Sequence, residues 1–131
     1  MNRSNKLIAF LWHQGETDAI ANIPEDVYYK NLSNLLHTYR STFNANNAPF
    51  IVGDFVKQWK DKGQFCWKPI IAATKRLVND NENTAFVETD GLDSNDVIFH
   101  DGDDIHFCRK SLYNLGERYF KAYEIACKNK Q

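Results

Sequence analysis

The chain has 131 residues, 43% of them hydrophobic and 25% charged, with a formal net charge of −1. That length fits a single domain spanning residues 1–131, with a packed core that hides roughly two thirds of the surface exposed by the unfolded chain. The charge balance excludes a general attraction to nucleic acid or to an anionic membrane, so neither is an expected partner.

From the amino terminus, the apolar run Leu7-Ile8-Ala9-Phe10-Leu11 passes directly into Trp12-His13-Gln14-Gly15-Glu16-Thr17-Asp18. An apolar run that stops at a glycine and polar groups reads as a buried parallel strand whose carboxyl end opens into a site. Gln14 can donate two hydrogen bonds to a developing oxyanion, and Gly15 allows the backbone close to a ligand. Glu16 can orient a base or bind a polar substrate. His13 and Gly15 are the candidate substrate contacts. The same residues also fit a strand-to-loop turn with a solvated Glu16 and a half-buried Trp12.

Asp18 to Asp26 reads as a loop, with Pro24 placed to start a helix. Tyr28, Leu32, Leu35, Leu36, Tyr39 and Phe43 recur at spacings of three and four, which predicts a helix over 27–43. Pro49 to Phe55 reads as a second buried strand with Asp54 near its carboxyl end. Lys57 to Gly63 reads as a charged loop. Pro69 opens a helix to Asn79 with Ile70, Ala73, Thr74 and Leu77 inward. Thr84 to Thr89 is the third strand, and Asp90-Gly91 its exit turn. Ser94 to Asp104 reads as an Asp-rich loop. A last helix over 110–128 puts Leu112, Leu115, Tyr119, Ala122, Tyr123 and Ala126 on one side. Strands alternating with helices predict an α/β fold with a parallel sheet.

Asp103 and His106 form an Asp-x-x-His pair before the last helix. On a tight turn the carboxylate can accept a hydrogen bond from one ring nitrogen and raise the basicity of the other, which is the base-and-orienter half of a hydrolytic triad. An Asp-rich surface loop that caps the helix is the alternative. His100, Asp101, Asp103, Asp104 and His106 match neither an EF-hand loop nor a helical zinc motif, so no metal and no cofactor is expected. Cys66, Cys108 and Cys127 are an odd number without metal-type pairing and point to reduced thiols. No apolar run reaches transmembrane length, and the one at the amino terminus is too short for a signal peptide. A cytoplasmic or truncated chain is expected.

The Trp12–Asp18 block, the Pro49-Phe50-Ile51-Val52 strand, and Asp103-Asp104-Ile105-His106-Phe107 with Leu115-Gly116-Glu117-Arg118-Tyr119 together resemble one family. It is the SGNH-type carbohydrate esterases of the acetylxylan esterase and sialate O-acetylesterase-like group, carbohydrate esterase family 6. The resemblance implies a flavodoxin-like three-layer α/β/α fold and removal of acetyl groups from sugars by a serine nucleophile. It also implies Gln14 as an oxyanion-hole donor, His106 as general base and Asp103 as its carboxylate partner, with Glu16 as an assisting or substitute acid.

The family carries its serine in a Gly-Gln-Ser-Asn-type block upstream of the Trp-His-Gln-Gly-Glu block. Arg3-Ser4-Asn5 echoes it by two letters, without a preceding strand or a flanking glycine, and Ser33, Ser41, Ser94 and Ser111 sit in no nucleophile elbow. The nucleophile is therefore expected to be missing from this chain, as from a fold truncated at its amino-terminal side. The bare apolar strand over 7–11 would then pair with a second copy or with a complementing amino-terminal segment. The alternative is a non-catalytic module of the same fold that binds sugar, with Trp12, Trp59 and Trp67 as stacking candidates, or that pairs with a partner chain.

Overall fold

The computed structural model describes residues 6–128. Three parallel strands, β1 (Phe10–Trp12), β2 (Phe50–Gly53) and β3 (Thr84–Val87), lie in the order β1-β2-β3. Phe10 sits opposite Phe50, and Phe50 opposite Thr84. The helices are α1 (Glu16–Ile20), α2 (Glu25–Thr42), α3 (Lys57–Asp61), α4 (Lys68–Asp80), α5 (Asn95–Phe99) and α6 (Arg109–Lys128). On one side of the sheet α2 packs along α4, and on the other α6 lies against β2 and β3. The result is the layered α/β arrangement that the alternating pattern predicts.

Each long element follows from its apolar spacing. β2 is flanked by a strand on both edges and covered on both faces, and all four of its residues are buried. In α2 the buried stripe is Tyr28, Leu32 and Leu36, with Pro24 as the N-cap and Glu25 and Asp26 at the positive end. In α4 the stripe is Ile70, Ile71, Ala73, Thr74 and Leu77. Burying Ile70 or Leu77 contributes about 1.5–3 kcal/mol each. The Thr74 hydroxyl bonds back to the Ile70 carbonyl at 2.8 Å, so this polar residue is satisfied inside the core.

The structure corrects several local expectations. The strand expected over 7–11 begins only at Phe10 and includes Trp12. The loops expected over 57–63 and 94–104 hold α3 and α5, and α1 runs from the Trp12–Asp18 block into the loop expected over 18–26; each has five residues, too few to show a 3.6-residue period. α3 forms around buried Trp59, whose ring stacks on Phe65 and meets Phe55 edge-on. Leu112, expected inward, is 54% exposed. Ser111 points inward instead, where its Oγ accepts a 2.7 Å bond from the Asp93 N–H.

Among the described residues β1 is an edge strand with an uncovered apolar side. Ile8 and Leu11 are each 63% exposed. With Leu112, Leu115, Phe120 and Tyr123 of α6 they line an apolar groove of about 500 Å³. Parallel strands are normally covered on both faces, so this edge departs from the usual arrangement.

Candidate active site

The carboxyl ends of β1 and β2 bring together the residues on which chemistry can rest. Two tyrosines tie down the backbone around His13. From α2, the Tyr28 hydroxyl donates to the Gln14 carbonyl at 3.0 Å. From α6, the Tyr119 hydroxyl donates to the Trp12 carbonyl at 3.1 Å and lies 2.9 Å from His13 Nδ1. Burial pushes the Tyr28 hydroxyl up to about 12 and raises Tyr119 as well, so both keep their protons at neutral pH.

Two glycines leave the room this arrangement needs. Gly15 has φ +139°, and a β-carbon there would lie 2.8 Å from Ile70 Cγ2, 2.9 Å from the Tyr28 hydroxyl and 3.0 Å from Phe55 Cζ. A β-carbon on Gly53 would collide with the Tyr119 hydroxyl and His13 Nδ1. The His13 ring meets Phe107 edge-on, with centroids 5.6 Å apart. Desolvation of the ring lowers its pKa, against the opposing charges of Glu16 and Asp54. Asp54 itself is buried in an ion pair with Lys60 at 2.5 Å.

The second half of the site is a clasp between residues 93–96 and 103–108. Asn95 N–H donates to the His106 carbonyl at 2.9 Å, Asp96 N–H to the Asp103 carbonyl at 2.8 Å, and Cys108 N–H to the Asp93 carbonyl at 3.0 Å. Ser94 and Phe107 form an antiparallel bridge. Within this clasp His106 Nδ1 lies 2.8 Å from Asp103 Oδ1, and the same carboxylate oxygen accepts the His106 backbone N–H at 3.2 Å. The other oxygen accepts from Asn95 Nδ2 at 2.8 Å. The carboxylate thus takes Nδ1–H, and Nε2 has no protein partner among the described residues on a side chain that is 75% exposed.

The bond from Asn95, followed by those from His106, holds the Asp103 carboxyl below its ordinary value of 3.8. A carboxyl depressed in the folded state adds stability that is complete above its unfolded pKa and is lost as pH falls through the native value. Asp103→Asn is therefore expected to melt below the wild type at neutral pH. The gap should close in acid below pH 3.8. Thermal melts of both proteins across that range check this, and a gap independent of pH would contradict it.

The structure thus joins Asp103 to His106, and gathers His13, Gln14, Gly15 and Glu16 at the ends of the strands. Gln14 Nε2 donates to Asp18 Oδ2 at 3.2 Å. Glu16 makes no hydrogen bond to His106 among the described residues, and its charge acts on His13 instead. Sequence reasoning missed the site roles of Asn95, Tyr28, Tyr119 and Gly53. The tyrosines were visible only as stripe residues, and Asn95 carried no signal.

No serine hydroxyl bonds to His106 among the described residues. Ser41 donates to the Thr38 carbonyl, Ser111 accepts from Asp93, and the Ser33 and Ser94 hydroxyls are buried without a partner. Ser4 lies outside the described residues. Of the three tryptophans, Trp59 is only 5% exposed, which removes it as a platform for a sugar ring.

Comparison with curated proteins finds no match. The model of one family, described as carbohydrate esterase, sialic acid-specific acetylesterase, matches residues 1–125. That span includes both the Trp12–Glu16 block and the Asp103–His106 pair, and the chain belongs to this family of carbohydrate esterases.

Proposed function

We propose that this chain supplies the base, the orienting acid and one oxyanion donor of an O-acetyl esterase acting on sugars, within the acetylxylan and sialate esterase group of SGNH fold. The observation that carries the reading is the 2.8 Å contact of His106 Nδ1 with Asp103 inside a family of carbohydrate esterases. It leaves Nε2 free to take a proton, which is the function of a general base in acyl transfer. In the reaction a serine oxygen attacks the acetyl carbonyl carbon as His106 Nε2 takes its proton. The free amide hydrogen of Gln14 stabilises the tetrahedral oxyanion. The C–O bond to the sugar then breaks as His106 returns the proton to the leaving oxygen, and water repeats the sequence to release acetate. Asp103 is the acid partner, and Glu16 acts on the His13 side of the cleft.

In this reading the serine comes from a strand that adds to the open edge of β1. The exposed Ile8 and Leu11 and the apolar groove beside α6 support that placement, since a further strand with its helix would cover both. The test is acetate release from an O-acetylated sialic acid. The 131-residue chain alone is expected to stay at the uncatalysed level, and a chimera that places a family member's serine-bearing strand ahead of residue 6 is expected to turn over. Turnover by the chain alone that disappears in His106→Ala would move the nucleophile into this chain. An inert, folded chimera would overturn the assignment.

A further inference from the structure

One hydroxyl proton stands between two neighbours at the centre of the site. Tyr119 lies 3.1 Å from the Trp12 carbonyl oxygen and 2.9 Å from His13 Nδ1. A carbonyl can only accept, so the tyrosine proton belongs on the bond to Trp12. The bond to His13 then requires Nδ1 to carry a proton and the phenolic oxygen to accept it. The opposite assignment would set two oxygen lone pairs against each other. Glycine at position 53 is what lets the phenol and the imidazole meet, because any larger residue collides with both.

We propose that Tyr119 is a positioning residue that fixes His13 as its Nδ1–H tautomer, so that His13 Nε2 is presented as a hydrogen-bond acceptor for a hydroxyl of the carbohydrate. His13 is exposed as a residue although its ring is partly desolvated at the part-buried Nδ1 contact, and Nε2, across the ring, has no protein partner among the described residues. Neutral imidazole with its lone pair turned outward selects a hydroxyl donor and disfavours a carboxylate. Phe107, from the loop that carries His106, meets the ring edge-on with centroids 5.6 Å apart. The sugar contact rests on the proposed esterase reading, whereas the tautomer does not.

The experiment is ¹⁵N NMR of the histidine side chains in the whole chain at pH ~8, where imidazole is neutral. In the wild type His13 is expected to show a protonated Nδ1 and an unprotonated Nε2. Tyr119→Phe is expected to move the proton to Nε2, and Gly53→Ala, which forces ring and phenol apart, to do the same. A wild-type His13 protonated on Nε2 overturns the proposal without need of any variant. Adding O-acetylated sialic acid is expected to shift the His13 Nε2 resonance, and loss of that bond in Tyr119→Phe to weaken binding about fivefold. A sugar that shifts His106 but not His13 overturns the inference and leaves the esterase reading intact. A sugar that shifts neither overturns the carbohydrate contact together with that reading.

Discussion

Gly15→Ala is expected to cost about 2–6 kcal/mol of folding stability. Two separate penalties combine. At φ +139° an L side chain is strained, worth about 1–3 kcal/mol. The new β-carbon would also press on Ile70, the Tyr28 hydroxyl and Phe55, all within 3.0 Å. Overpacking of this kind costs about 1–3 kcal/mol more. Since whole domains are stable by only about 5–15 kcal/mol, the thermal midpoint should fall by ~10 °C or more. Gly91→Ala is the control, because Gly91 also has a positive φ, at +74°, but nothing lies within 4 Å of its β-carbon. It should lose far less. Equal losses in the two variants would mean that the close packing around Gly15 is not what requires glycine there.

The second large effect falls on activity and spares stability. In the proposed serine-completed domain, His106→Ala is expected to lower acetyl-ester turnover by ~10²–10⁴-fold, the range supplied by a positioned general base. The side chain is 75% exposed, so its removal leaves no cavity. Folding stability should change by no more than the ~0.5 kcal/mol typical of a surface substitution. Steady-state kinetics beside a thermal melt separates the two effects. A variant that loses turnover only because it unfolds would contradict the assignment.

The two halves of the site were legible in the sequence to different depths. Asp103 and His106 are close in the chain, and their spacing alone put the carboxylate within reach of the ring, as the structure places it. The alternation of strand and helix and the stripes of α2 and α4 were equally plain, because long amphipathic periods survive small errors of register. What the sequence could not reveal depends on tertiary distance. Tyr119 lies 106 residues from His13, and its place on α6 marked it as one more inward apolar residue. Gly53 looked like part of a strand, and only the approach of the two rings explains it. Asn95 sits in a one-turn helix too short to be read, and its partner Asp103 comes from across the clasp. The apolar run at 7–11 was readable as a strand, but the groove beside it required the placement of α6.

The measurement that bears most directly on the account is the turnover of an O-acetylated sugar by the serine-completed domain carrying Asp103→Asn. Asparagine keeps the size of the side chain but cannot hold His106 in its Nδ1–H form or stabilise the imidazolium. In that variant kcat is expected to fall by ~10²-fold or more while KM stays nearly unchanged, since Asp103 acts on the base and not on the sugar. An Asp103→Asn domain that keeps its kcat would show that His106 does not depend on this carboxylate, and the Asp103–His106 pair would not be the catalytic couple.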